Sequence, residues 1–315
     1  MTFKDSLFKD YTDMLALKES TGYRRTSYEH HIPEFLTFCG NTYPHADCIT
    51  KKMLDGWLQE KHFKTNGTHN AAISKIRVFA RYQAAIGKTT YIPSGDYSVK
   101  EIKYVPYIFN DMELGRLFEA FDTISPNLWS PEREIIIPVL FRMMYCCGLR
   151  PGEPLRLLCT DIDLMNGIVY IRQSKKEKDR RIIMSDDLTA LCRRYDDKKR
   201  LRTYFFERKD GKRFTIRWME NQFRICWRNS ELEKRSNPRP YDLRHNFATR
   251  VLSQWADEGK DVMSLVPYLS AYMGHINFTT TLYYIHLLPE RLVRANGIDW
   301  ERFTNVYPEV SNEED

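Results

Sequence analysis

Four short segments gather side chains that chemistry on an anion would need: GLRPGEP at 148–154, SKKEKDRR at 174–181, YDLRHNFAT at 241–249 and MGHINFTTTLYYIH at 273–286. Guanidinium groups hold phosphate oxygens through planar, forked hydrogen bonds and stay charged at any working pH. An ammonium or an imidazole can hand over a proton. A phenol is a poor nucleophile at its free pKa of ~10 and needs activation or a positive field. Taken singly, each segment has a plainer reading. An arginine after a glycine caps a helix or lies on the surface, a lysine-rich turn is solvated, and a tyrosine on an amphipathic helix belongs to the core.

Taken together and in this order, the segments resemble the tyrosine recombinase (integrase) family. The resemblance covers about residues 107–290 by motif and reaches the N-terminal part only in general character. GLRPGEP is similar to the family's first arginine box, which implies Arg150 as the first catalytic arginine and Glu153 as a supporting acid. SKKEKDRRIIMS resembles the β-hairpin lysine segment. Aligning its K-D-R-R-I-I end puts the lysine at Lys175, with Lys176 the alternative. YDLRHNFAT resembles the H-x-L-R-H-x-F-A-T box and implies Arg244 as the second arginine, with His245 the common residue after it. The chain departs from the family here, because Tyr241 stands where the box has its first histidine. GHINFTTTLYYIH matches G-H-x-x-x-x-T-T-x-x-Y-x-H, which implies His275 as the second histidine position, Tyr284 as nucleophile and His286 as a supporting residue. Tyr283 is the rival, and the Y-x-H spacing favours Tyr284.

The resemblance implies a site-specific recombinase that cleaves and rejoins DNA through a 3′-phosphotyrosine. Arg150 and Arg244 would hold the non-bridging oxygens, Lys175 would protonate the leaving 5′ oxygen, and His275 would donate a hydrogen bond to the phosphate. At Tyr241 a tyrosine can donate a hydrogen bond but is a weak base near pH 7. Conserving the phosphoester bond asks for no ATP, cofactor or metal. The expected partner is double-stranded DNA, bound by a homo-tetramer on paired sites.

Elements must position these groups. The implied fold is mainly α with a small antiparallel β-sheet: a helical N-terminal core-binding domain followed by an α+β catalytic domain. Residues 1–90 read as a helical DNA-binding domain, 91–106 as linker, 107–300 as the catalytic domain and 301–315 as an acidic tail. In HNAAISKIRVFARYQAAIG, Ile73, Ile76, Ala80 and Ala84 share one face, and Gly87 stops the helix. Lys75, Arg77 and Arg81 lie off that face and are candidate DNA contacts. Residues 88–106 lack helical period and carry Pro93, Gly95 and Pro106, which reads as a connection between domains. Asn110 and Glu113 form a capping box for DMELGRLFEAFD. Ser130-Pro131 opens EREIIIPVLFRMMYCC and Gly148 ends it. GIVYIRQ and RRIIM read as a strand pair, and the chain from Asp186 to about residue 296 as mainly helical.

Composition bounds the rest. The 315 residues carry a net charge of +6, which fits a polyanionic partner without requiring one. The seven cysteines form no C-x-x-C and no zinc spacing, as expected of reduced, mostly buried thiols. MTFKDSLFKDYTDM has no apolar signal region, and Ile135–Leu149 is broken by Arg142 and too short to span a bilayer. A cytoplasmic, nucleoid-associated protein is expected. Two other functions compete: a type IB-like topoisomerase with a similar site, and a non-catalytic DNA-binding relative, which the Tyr241 departure alone favours.

Overall fold

The structure is a computed structural model that describes residues 2–23, 25–100, 104–172, 179–199, 201–232, 237–275 and 279–287. The chain divides into two compact units, Met1–Tyr104 and Val105–Asp315.

The first unit packs α1 (Phe3–Ser20), α2 (His31–Thr42), α3 (Lys51–Glu60) and α4 (Asn66–Ala85). Threonine hydroxyls at Thr2, Thr50 and Thr65 cap α1, α3 and α4 by accepting backbone N–H bonds. Leu7, Met14, Ile32, Phe35, Ile73, Ile76 and Phe79 form the core. The buried face of α4 runs through Ala72, Ile73, Ile76, Phe79, Ala80 and Gln83, while Ala84 is exposed. Successive four-residue steps overshoot the 3.6-residue turn, so the face expected to include Ala84 has rotated past it.

Residues 91–100 are pinned to the first unit rather than spanning freely between units. Tyr91 N–H donates to Ile49 O at 2.9 Å, Tyr97 Oη to Asp55 Oδ1 at 2.5 Å, and Asn70 Nδ2 to Val99 O at 2.8 Å. Beyond a short 3-10 turn at Gly95–Tyr97, the segment meets its hydrogen-bond demand on the helices it crosses.

The second unit begins with α5 (Asp111–Asp122) and α6 (Arg133–Cys147). The Asn110–Glu113 capping box closes as expected, with both bonds at 2.9 Å. Next come β1 (Ile162–Asp163), β2 (Ile168–Ile171) and β3 (Arg180–Ile183), an antiparallel sheet in the order β1-β2-β3 with Ile171 opposite Arg180. Then follow α7 (Asp186–Asp197), α8 (Ile216–Asn229), α9 (Pro240–Asp257), α10 (Val262–Met273), the short α11 (Thr279–Leu282) and a 3-10 turn, Tyr283–Leu287. The chain from Asp186 is mainly helical as expected, and the segment between α7 and α8 is its irregular part. Phe205 and Phe206 are buried there, and Leu158 bridges Tyr204 as an isolated β pair. Its aromatic run and Lys-Asp-Gly turn favour extended chain over helix. Residues 288–315, with the expected last helical stretch and acidic tail, lie outside the described residues.

Two cores fill this unit. One joins α5–α8 to the sheet. The other joins α9 and α10 to Leu282, Tyr284 and Ile285. Cys39, Cys147, Cys192 and Cys226 are buried. None of the described helices is long and apolar enough to cross a membrane.

Gly148 links the cores. Its φ is +59°, and a Cβ there would lie 2.4 Å from Phe247 Cδ1 on α9. Gly148→Ala should therefore combine left-handed backbone strain with overpacking and cost about 2–4 kcal/mol. Urea unfolding measures this directly, and a loss under 0.5 kcal/mol, within the ordinary scatter of surface substitutions, would contradict it.

Candidate active site

The pocket is assembled from chain ends and helix faces of the second unit. Arg150 follows the C-terminus of α6, and Arg180 opens β3. Tyr241, Arg244 and His245 lie along the first turns of α9. His275 follows the C-terminal glycine of α10, and Tyr284 sits in the 3-10 turn after α11.

Arg244 is wholly buried. Its Nη1 donates to Gly148 O at 2.6 Å, and its Nη2 donates to Met273 O at 2.7 Å and to His275 Nε2 at 2.9 Å. The guanidinium thus ties the C-terminal ends of α6 and α10 together. Its Nε is buried with no hydrogen-bond partner among the described residues.

The contact with Arg244 fixes the state of His275. Arginine has donors only, so His275 Nε2 must accept. The imidazole proton then sits on Nδ1, 2.7 Å from Thr281 Oγ1, which accepts it. Burial first, and then the charges of Arg244, Arg150 and Arg180, push the His275 pKa down to about 3. In this state Nε2 receives a hydrogen bond, so the expected donation to a phosphate requires a proton to arrive there.

Glu153 is the anionic centre. Its side chain is 1% exposed and accepts from Arg150 N at 2.8 Å, from Arg150 Nη1 at 3.1 Å, and from Arg180 Nη1 and Nη2 at 2.9 and 2.8 Å. Burial would raise its pKa, but the hydrogen bonds and charge of Arg180, with the Arg150 backbone, outweigh that and hold it below the usual carboxylate range. Three guanidiniums, Arg150, Arg180 and Arg244, face this one carboxylate, and His275 is neutral. Among these described residues, three positive charges less one leave a net +2, a field suited to a phosphodiester.

Tyr284 is 2% exposed, whereas Tyr283 is 41% exposed. The Tyr284 ring lies 5.4 Å from the His245 ring and 6.2 Å from that of His275, nearly parallel to the latter at 21°. Burial raises its phenol to about 12, against the opposing charges of Arg244 and Arg150. The half-buried Tyr241 ring sits 4.9 Å from His245. His245 is held down at about 4, by burial first and then by the Arg239 and Arg244 charges.

The fold brings together Arg150, Glu153, Tyr241, Arg244, His245, His275 and Tyr284. Lys175 and Lys176 lie outside the described residues, as does the side chain of His286. The α4 cations are in the other unit. Arg77 is spent on the chain, donating to Pro93 O and Ser94 O at 2.7 Å each. Lys75 sits over the Tyr28 ring at 4.8 Å, and Arg81 is exposed. Among the described residues, His30, His31 and Glu34 bring candidate metal-ligand atoms within 4.8 Å of one another. Lys61 already holds Glu34 at 2.7 Å, so the group reads as an ion pair beside histidines.

Arg180 is a site residue that motif reading passes over, and Thr281 is a motif position to which that reading assigned no role. Strand alternation was the available signal for Arg180: it shares the inward face of β3 with Ile182, while Arg181 and Ile183 point outward.

His31, His245 and His275 all have folded pKa values below the free histidine value. The unfolded chain binds more protons as pH falls through 6.5, so stability is full above that pH and declines below it. Urea midpoints should fall steadily from pH 7 to pH 5, before most carboxylates titrate. A flat or rising midpoint over that window would contradict neutral buried histidines.

Residues 112–291 match the phage integrase family. The match takes in more than half of the chain and every residue of the pocket, and the chain belongs to that family. The putative integrase/recombinase y4rB of Sinorhizobium fredii is 27% identical over 307 residues, covering 93% of this chain and 96% of that protein. A second protein of that organism, putative integrase/recombinase y4rE, is 33% identical over 186 residues, covering 57% of this chain and 59% of its own length. Among solved structures, the Tn1549 transposon integrase in complex with a circular intermediate DNA matches with a TM-score of 0.64 at 14% identity, over 90% of this chain and 94% of that one. A lambda integrase dimer bound to a COC′ core site matches with a TM-score of 0.60 at 18% identity, over 90% and 95%. The shared fold is mostly helical with a small antiparallel sheet.

Proposed function

We propose that this chain is a site-specific DNA recombinase that breaks and rejoins strands through a 3′-phosphotyrosine on Tyr284. The observation that carries the reading is the meeting of Arg150, Arg244, His275 and Tyr284, drawn from well-separated segments, in one pocket of net positive charge.

In this reading Arg150 and Arg244 hold the scissile phosphate and neutralise the charge that builds as the pentacoordinate state forms. Tyr284 Oη bonds to phosphorus as the P–O5′ bond breaks. The phenolic proton passes to water, and the 5′ oxygen gains one from Lys175. With burial raising its pKa to about 12, the Tyr284 phenol is protonated at neutral pH before attack. His275 accepts from Arg244 and sets the plane of that guanidinium. Tyr241 steadies the pocket through His245 and does not act as base. Arg81 and Lys75 extend binding onto the first unit. DNA, a homo-tetramer on paired sites and a cytoplasmic setting complete the reading, with no metal or cofactor in any step.

The test lets the protein choose its own site. A duplex bound by the full chain is selected from a randomised pool, then supplied with a nick stepped along it so that cleavage traps the intermediate. A covalent protein–DNA adduct is expected for one nick position. No adduct at any position would overturn the recombinase reading and leave a DNA-binding relative. DNA relaxation without exchange between two such sites would instead indicate a topoisomerase.

A further inference from the structure

Arg180 holds the pocket together without facing its ligand. Its side chain is 8% exposed. Nε donates to Tyr272 O at 3.0 Å, while Nη1 and Nη2 fork onto the two oxygens of Glu153. Glu153 receives Arg150 on the same two oxygens, at its backbone N–H and its Nη1. Arg150 Nη2 donates onward to Gly274 O. The ring is closed by position, because Gly274 lies two residues beyond Tyr272 and one before His275. Gly274 has φ +64°, and a Cβ on it would stand 3.0 Å from Arg180 Nη1, so the approach depends on a glycine there. Three elements meet at this one guanidinium: the first residue of β3, the turn after α6, and the last turn of α10.

We infer that Arg180 is a positioning residue: through Glu153 it fixes Arg150, and through Tyr272 O and the Gly274 turn it fixes the segment bearing His275, so that the phosphate-holding groups are set before DNA arrives. The inference rests on the proposed role of Arg150 at the scissile phosphate. A point-charge lysine can satisfy either the carboxylate or the Tyr272 carbonyl, but cannot fork across both oxygens while also serving the carbonyl. Losing the fork leaves Glu153 free to draw Arg150 inward. The clamp then loses orientation rather than charge, and misplacement of about 1 Å in a catalytic group can cost about 10²-fold.

The experiment compares two scissile linkages at the cleavage position mapped above: the ordinary phosphodiester and a methylphosphonate, in which one charged oxygen is replaced by a neutral methyl group. A cationic clamp matters less where less negative charge develops. Arg150→Ala serves as the reference. Single-turnover adduct formation by Arg180→Ala should fall about 10²-fold on the phosphodiester and no more than about 3-fold on the methylphosphonate, tracking the reference. Arg180→Lys should show the same pattern with a smaller loss, and it carries the test if the alanine variant does not fold. Equal losses on both linkages would make Arg180 a purely structural residue and overturn the inference, as would no loss on either. If the wild-type chain forms no adduct, the recombinase reading fails first. If it forms one and the linkage dependence is absent, only the role of Arg180 fails.

Discussion

Tyr284→Phe should abolish the covalent protein–DNA adduct, with a loss on the order of 10⁴-fold or more, as expected when a nucleophile is removed outright. The substitution deletes one hydroxyl from a ring that is 2% exposed and packed among Leu282, Ile285 and the α9–α10 core. The ring fills the same space, so stability should move by no more than about 1 kcal/mol. DNA affinity should hold as well, since the arginines that attract phosphate are untouched. Tyr283→Phe is the matched control. That ring is 41% exposed, so losing its hydroxyl should leave adduct formation within a few-fold of wild type. The reverse pattern, with Tyr283→Phe inactive and Tyr284→Phe active, would move the nucleophile by one residue and break the pocket assignment.

Arg244 should be the second most sensitive position, and for two separable reasons. Its Nη groups satisfy Gly148 O, Met273 O and His275 Nε2 while wholly buried. Arg244→Ala orphans these acceptors and leaves a void, at a cost of about 3–5 kcal/mol. Arg244→Lys keeps the charge but cannot reach all three acceptors or present a fork to the phosphate. Single-turnover cleavage by the lysine variant should fall about 10²–10³-fold, the range for losing one electrostatic donor. A lysine variant that cleaves within 3-fold of wild type would show that the pocket needs only a positive charge at this point.

The pocket was largely legible in the sequence, because its members carry unusual chemistry at characteristic spacings. Arg150 and Glu153 are three residues apart across a helix-ending turn, and Arg244 follows Tyr241 by three on α9. His275 and Tyr284 are nine apart around α11. Such local spacings survive folding intact. Arg180 was less visible because its importance is non-local. It comes from the register that sets it opposite Ile171 and from an α10 turn 92 residues away, neither of which motif reading supplies. The tautomer of His275 was hidden for the same reason, since it follows from Arg244 on one side and Thr281 on the other. In the first unit, the helices were readable from apolar period. The fate of Arg77 was not, because only the path of residues 93–94 shows that it is spent on backbone carbonyls. The paths of segments 91–100 and 201–215 were not legible, because irregular chain is stabilised by what it packs against rather than by any pattern of its own.

The most direct measurement is the identity of the residue that carries the DNA. The trapped adduct is digested with protease and nuclease, and the nucleotide-bearing peptide is sequenced by mass spectrometry. A 3′-linked nucleotide on Tyr284, within the peptide that runs on from His275, is the expected result. A nucleotide on Tyr283 or any other residue, or a 5′ linkage, would contradict the account.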